Sequence, residues 1–161
     1  HLPNVSVQKL LYFAHAAHLA KYGGTPLVAS VFEAWEYGPV CRPIYDELKH
    51  YGRSSVSQKI EDIDLFTGEV TTPSLPNDLR VKSHVFNIMD SLGRLSPGQL
   101  IDLSHVKGGA WHETWHKART RTTVGGAICD SLIRERFYLL KMPIKPSIFG
   151  DPDEAAPLTG T

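Results

Sequence analysis

One pattern in the sequence could perform metal chemistry, and it lies near the middle of the second half of the chain. His112, Glu113 and His116 satisfy the pattern H-E-x-x-H. On a helix, two histidines four residues apart lie on one face and could both ligate zinc, while the glutamate acts as a general base. Glu135 lies downstream, where another helix could supply a third ligand. The pattern therefore makes a zinc-dependent hydrolase one alternative function for this chain.

The surroundings of this pattern favour a packing role instead. The segment is short, it follows the glycine pair at 108–109, and it contains Trp111 and Trp115, whose large side chains usually pack. A five-residue pattern with three fixed positions arises by chance, and no third ligand is fixed by the sequence. We therefore interpret the two histidines as surface residues, and we expect no metal and no cofactor.

Nothing else in the sequence indicates an enzyme. The serines at 54, 55 and 57 do not form a nucleophile elbow, and the glycine pairs match no phosphate-binding loop. Cys41 and Cys129 are too few for a disulfide framework, so we expect two reduced thiols. His15 and His18 lie three apart on the first predicted helix, but the sequence supplies no obvious carboxylate partner for them. We therefore predict a protein without catalytic activity.

The composition and net charge of the chain disfavour nucleic acid and anionic membranes as partners. With 42% hydrophobic and 21% charged residues, the 161-residue chain has the usual composition of one globular domain. The 17 basic and 17 acidic residues give a net charge of zero, so no global field attracts nucleic acid or an anionic membrane. A nucleic-acid-binding repressor is a further alternative, and it would depend on a local basic cluster such as Lys117, Arg119 and Arg121. We expect a cytoplasmic protein, since no apolar stretch is long enough to cross a bilayer.

The periodicity predicts a mainly α domain of the α+β class. Apolar residues recur at helical spacing in six segments, which are residues 4–22, 43–51, 78–92, 97–107, 111–118 and 127–141. Asn4 and Ser6 are the predicted N-caps of the first helix. Ser96, followed by Pro97 and Gln99, predicts a capping box. These signals account for most of the chain as helix.

Two segments predict a small antiparallel sheet. Residues 31–37 are rich in β-branched and aromatic side chains and run into Gly38–Pro39, which we interpret as a turn. Residues 59–72 predict a hairpin around Thr67–Gly68 that could extend this strand. The last stretch is rich in proline, glycine and acidic residues. We therefore divide the chain into one domain at 1–142 and a tail at 143–161.

Two blocks of residues resemble a known family. Residues 8–15 read Gln-Lys-Leu-Leu-Tyr-Phe-Ala-His, and residues 33–40 read Glu-Ala-Trp-Glu-Tyr-Gly-Pro-Val. Further matches are Tyr45, the Tyr51–Gly52 stop, Leu103–His105, Gly108 and the segment Trp111–Trp115. Together they resemble the Panacea (SocA-like) antitoxin domain over about residues 5–140.

The resemblance implies an antitoxin that binds and neutralises a cognate protein toxin encoded beside it. Similar proteins also occur among phage-associated proteins, and some look like adaptors that deliver the toxin to an ATP-dependent protease. Aromatic side chains in a partly exposed patch often anchor protein interfaces, although packing within the sheet is the alternative for Trp35 and Tyr37. The predicted toxin-binding residues lie within 33–49 and are Glu33, Trp35, Glu36, Tyr37, Tyr45 and Lys49.

Overall fold

The computed structural model describes residues 2–119 and 125–145, and it confirms the predicted mainly α (α+β) class. The helices of this part of the chain are α1 (Asn4–Lys21), α2 (Arg42–Leu48), α3 (Leu79–Leu92), α4 (Pro97–Ser104), α5 (Ala110–Arg119) and α6 (Asp130–Arg136). Two 3₁₀ turns, Lys49–Tyr51 and Phe137–Leu140, follow α2 and α6. The strands are β1 (Phe32–Trp35), β2 (Gly38–Cys41), β3 (Asp62–Ile63), β4 (Val70–Thr71) and β5 (Ala127–Ile128).

Helix α1 is the centre of the domain. It contacts α3, α4, α6 and β2, so it is buried on nearly every side. Tyr12, Phe13 and Leu19 are at most 1% exposed, and the Tyr12 ring meets the ring of Phe32 edge to face at 5.4 Å. A helix that is covered all round has no polar face, which explains why its sequence shows no clean amphipathic stripe.

The predicted N-caps of α1 are wrong. Pro3 occupies the N-cap position in an extended conformation, and its carbonyl accepts hydrogen bonds from the backbone N–H of Ser6 at 2.9 Å and of Val7 at 3.2 Å. Asn4 and Ser6 lie inside the helix and are buried. The Asn4 side chain accepts a hydrogen bond from Gln8 Nε2 at 3.3 Å instead of capping the helix.

The three-stranded sheet has the antiparallel order β2-β1-β5. Phe32 lies opposite Cys41 on one side and opposite Ile128 on the other, while Trp35 lies opposite Gly38. The turn between β1 and β2 is at Glu36–Tyr37, so the prediction of a turn at Gly38–Pro39 is wrong. Gly38 starts β2 with φ 97°, and a Cβ there would lie 2.6 Å from Ser104 Oγ. The glycine is therefore required by close packing as well as by its backbone angle.

The prediction of one helix over 127–141 is also wrong at its start. Ala127 and Ile128 pair with β1, and the extended Cys129 separates this strand from α6. Ile128 lies four and five residues before Leu132 and Ile133, so in the sequence it is in phase with the apolar positions of the helix that follows. In the structure it is fully buried in the sheet. Tertiary pairing with β1 decides the conformation of these two residues.

The predicted hairpin at 59–72 is confirmed, but the prediction that it extends the sheet is wrong. Strands β3 and β4 pair only with each other within the described residues, as Asp62 with Thr71 and Ile63 with Val70. Both sides of β1 are already paired, with β2 and with β5. No edge of β1 is therefore free to receive the hairpin.

The strongest local signals are confirmed. The helix predicted at 78–92 is α3, and Asp78 Oδ1 caps it by accepting a hydrogen bond from Arg80 N at 2.8 Å. In the capping box of α4, Gln99 N donates to Ser96 Oγ at 3.2 Å and Ser96 N donates to Gln99 Oε1 at 2.8 Å. Helix α4 ends at Ser104, three residues before the end of the predicted segment at 97–107.

The division into a domain at 1–142 and a tail at 143–161 stays a prediction, because most of that tail lies outside the described residues. Its first residues lie against α3, where Lys145 Nζ is 3.0 Å from Asp90 Oδ2. Among the described residues, no helix has both the length and the apolar character that a membrane span requires.

Candidate functional site

An open cleft of about 500 Å³ contains four of the six residues predicted to bind a toxin. It lies between the start of α1, the β1–β2 turn and α2. Trp35, Glu36, Tyr37 and Tyr45 line it, together with polar residues of α1 and Trp115 of α5. We call this the aromatic cleft. The other two predicted residues, Glu33 and Lys49, do not line it.

A short network holds the tryptophan of the aromatic cleft in place. The rings of Trp35 and Tyr45 meet edge to face at 4.8 Å, and the Arg42 guanidinium lies 5.0 Å from the Trp35 ring. Glu33 accepts two hydrogen bonds from Arg42, at 2.9 and 2.7 Å, and one from Trp35 Nε1 at 2.8 Å. The hydrogen bonds from Arg42 lower the pKa of Glu33. Glu33 therefore positions the indole and guanidinium groups beside the cleft.

Three other predicted residues are more exposed. Tyr37 lies at the β1–β2 turn with 65% of its surface accessible, and Glu36 precedes it in the same turn. Lys49 lies on the surface, where its Nζ is 3.0 Å from Asp46 Oδ1. An exposed tyrosine at the mouth of a cleft is available to a partner without any change of fold.

A buried lysine on the wall of the aromatic cleft was not singled out from the sequence. Lys9 is 1% exposed, and its Nζ donates a hydrogen bond to the carbonyl of Pro39 at 2.9 Å. Burial lowers the pKa of Lys9 to about 7. The only sequence signal was its place in the block at 8–15, since a lysine beside apolar residues is usually solvent-facing. Its contact with Pro39 ties α1 to β2 below the cleft.

The H-E-x-x-H segment lies on α5 and forms part of the domain's packing. The rings of His112 and His116 are 4.3 Å apart, and Glu113 Oε1 is 3.7 Å from His112 Nδ1. Within residues 2–119 and 125–145, no group of three potential ligands is placed to hold a metal ion. The side chain of His112 is 27% exposed, so it is partly covered, whereas His116 is on the surface as predicted.

The tryptophans of α5 pack as the sequence predicts. Trp111 Nε1 donates to the carbonyl of Trp35 at 2.8 Å, and the Trp111 ring stacks on His105 with centroids 3.7 Å apart. Trp115 lies parallel to Trp111 at 5.8 Å and reaches the aromatic cleft. Helix α5 therefore packs against β1 and is joined to it by the hydrogen bond from Trp111 to the Trp35 carbonyl.

The expectation that His15 has no carboxylate partner is wrong. His15 is fully buried, and Asp130 at the start of α6 lies 3.0 Å from its Nε2. Val28 N donates to His15 Nδ1 at 3.2 Å, so the ring proton is on Nε2 and is donated to Asp130. The histidine joins α1, α6 and the loop before β1. His18 has a similar role, with its Nδ1 bonded to the carbonyl of Thr25 at 2.8 Å.

The basic cluster that a repressor would use is only partly described. Arg121 and the side chain of Arg119 lie outside the described residues, and Lys117 is exposed on α5. The nucleic-acid alternative therefore gains no support from geometry.

Comparison with known proteins agrees with the resemblance of the two sequence blocks. Residues 7–112 match the family model described as "Antitoxin SocA-like, Panacea domain". Over 157 residues the chain is 34% identical to Antitoxin SocA of Caulobacter vibrioides (strain NA1000 / CB15N), which covers 97% of this chain and 83% of that relative. No solved structure matches the chain. The family match includes β1, β2 and α2, and with them the cleft residues from Trp35 to Tyr45, but it ends before Trp115.

Proposed function

This chain belongs to the SocA-like Panacea antitoxin family, and from that premise we propose that it neutralises a cognate protein toxin by binding it directly at the aromatic cleft. The observation that carries the proposal is the grouping of Trp35, Tyr37 and Tyr45 around one open cleft. Tryptophan and tyrosine are the residues that most often dominate the energy of protein interfaces. A cleft of this volume accepts one or two side chains of a partner.

The rigidity of the cleft favours tight binding. Glu33 and Arg42 fix the indole of Trp35, and Trp111 holds the backbone of β1 through the Trp35 carbonyl. Little side-chain entropy is then lost when the toxin binds. Trp35 lies on a strand and Tyr45 on a helix, so this part of the surface is formed before the partner arrives.

The proposed activity needs no catalysis and no cofactor, because occupation of the toxin's functional surface is sufficient. We place it in the cytoplasm, where the toxin is made. Delivery of the bound toxin to an ATP-dependent protease would be an additional step. It is tested by the half-life of the toxin in the presence and absence of the chain: sequestration alone leaves that half-life unchanged or longer, whereas delivery shortens it.

The test is co-expression with the protein encoded beside this chain, scored by growth and by co-purification. Wild type should restore growth and retain the toxin, whereas Tyr37→Ala and Tyr45→Ala should weaken binding by about tenfold or more each. Tyr138→Ala is the matched control, since Tyr138 is 69% exposed but does not line the cleft.

Two results would overturn the proposal. One is a neighbouring protein that is neither toxic nor bound by the wild-type chain. The other is a toxin that binds the two cleft variants as tightly as it binds the control. Thermal unfolding of each variant shows whether the fold is retained.

A further inference from the structure

The hairpin at residues 59–72 has a defined shape although each of its strands has only two residues. Asp64 Oδ1 accepts hydrogen bonds from the backbone N–H of Phe66 at 2.8 Å and of Thr67 at 3.0 Å. Gly68 N donates to the carbonyl of Asp64 at 2.8 Å, which closes the turn. We call this segment the acidic hairpin. These bonds fix which side chains stand at its tip.

The tip of the acidic hairpin carries two large apolar side chains that nothing in the described chain covers. Leu65 is 92% exposed and Phe66 is fully exposed at 101%, while Ile63 and Val70 on the strands are 55% and 54% exposed. Each of residues 61–80 is exposed, so the hairpin projects from the body of the domain. Apolar groups concentrated on one exposed element usually mark an interaction site.

The charge of the acidic hairpin indicates the kind of surface that it fits. The hairpin has a net charge of −3, because it contains one basic residue and four acidic ones. The basic residue is Lys59, and the acidic residues are Glu61, Asp62, Asp64 and Glu69. The whole chain has a net charge of zero. The negative charge is therefore concentrated around the exposed leucine and phenylalanine. A complementary surface is an apolar pocket with a rim of lysine and arginine.

We propose that the acidic hairpin is a second docking element, which inserts Leu65 and Phe66 into a basic-rimmed apolar pocket on the toxin. This inference rests on the proposed antitoxin function, but it concerns a surface separate from the aromatic cleft. Burial of the two side chains supplies affinity, because each removes a large apolar area from water. The acidic residues align the hairpin on the pocket and speed association.

The first experiment measures binding of the purified toxin to the full chain and to Leu65→Ser/Phe66→Ser. The double variant should bind about tenfold or more weakly, mainly through faster dissociation. Tyr138→Ser is the matched control, because it removes an exposed aromatic side chain elsewhere. The substituted residues are exposed, so the melting temperature of the double variant should equal that of wild type.

A second variant tests the charge. Glu61→Gln/Asp62→Asn/Glu69→Gln removes three charges but keeps Asp64, which shapes the turn. Association with the toxin should slow by about threefold or more at low salt, and the difference should disappear at high salt. Equal association rates at low salt would contradict a basic rim.

The outcomes separate this inference from the antitoxin proposal. If wild type binds the toxin and the double hairpin variant binds within twofold, the hairpin inference is overturned and the antitoxin proposal stands. If wild type binds no toxin, both are overturned. If the double variant changes only the self-association of the chain alone, measured by sedimentation, the hairpin serves a second copy of the chain and the inference is wrong.

Discussion

Helix α1 and the acidic hairpin depart in opposite ways from the usual rule that charged groups are exposed and large apolar groups are buried. Helix α1 buries the amino group of Lys9, whereas the acidic hairpin exposes the whole side chain of Phe66. Neither arrangement favours folding, since a buried amine loses its hydration and an exposed phenylalanine gains nothing from the core. Local conflicts of this kind are expected where function competes with stability. The difference is that changes in α1 should alter folding, and changes in the hairpin should alter binding.

The largest expected effect compares two phenylalanines. Phe32 is fully buried in β1, and Phe66 is fully exposed at the hairpin tip. Phe32→Ala should lower the free energy of unfolding by about 4 kcal/mol, because it removes a large core side chain and leaves a cavity. Phe66→Ala is the matched control and should change it by less than about 0.5 kcal/mol. Chemical denaturation measures both, and a similar loss in the two variants would refute the contrast.

The next effect is the pH dependence caused by Lys9. The pKa of Lys9 is about 7 in the folded chain, and its ordinary value of 10.5 applies to the unfolded chain. Between these two pH values the unfolded chain therefore binds more protons than the folded chain. Stability should therefore rise with pH, by about 2 kcal/mol between pH 7 and pH 8.5. This range lies above the pKa values of His84 and His105, which burial lowers, and below the range where Tyr12 ionises.

The control for this pH effect is Lys9→Met, which keeps the length of the side chain and removes the amine. Unfolding in urea at several pH values should show a clearly smaller rise for the variant than for wild type. A rise of the same size in both proteins would show that another group causes it.

A smaller effect is expected where the exposed segment rejoins the body of the domain. Asp78 caps the first turn of α3 near the end of the run of exposed residues at 61–80. Asp78→Ala should lower the free energy of unfolding by about 1 kcal/mol, and Asp78→Asn should retain most of the stability, because an amide oxygen still accepts the bond. Thermal unfolding of the two variants checks this, and an equal loss in both would point to charge instead of capping.

The smallest expected effect on stability belongs to the tip of the acidic hairpin. Leu65→Ser/Phe66→Ser should change the free energy of unfolding by less than about 0.5 kcal/mol, since neither side chain is packed. Calorimetry at one protein concentration is sufficient. A loss of 2 kcal/mol or more would mean that the hairpin packs on the domain in solution.

Structural features that depend on residues close together in the sequence could be predicted from the sequence. The capping box at Ser96 and Gln99 needs only neighbours within three residues, so it was found. Strand β5 and the bond between His15 and Asp130 join residues about 100 positions apart. No local pattern encodes such pairings, because they depend on how helices and strands meet.

The candidate site follows the same division. Trp35, Tyr37 and Tyr45 were predicted from their residue type and from the resemblance, and the structure groups them around one cleft. Lys9 was missed, because its burial depends on β2 and on the close approach allowed by Gly38. Glu33 was predicted as a contact for the toxin, and the structure gives it internal partners that a sequence pattern does not reveal.

The chain carries three tryptophans, and their positions make the protein its own optical probe. Trp35 and Trp115 line the aromatic cleft, and the indole of Trp111 is bonded to the backbone of Trp35. All indole emission therefore originates around the cleft, and the acidic hairpin contributes none. A shift in emission wavelength on adding an unlabelled partner that lacks tryptophan would report occupation of the cleft, while docking of the hairpin alone would leave the spectrum unchanged.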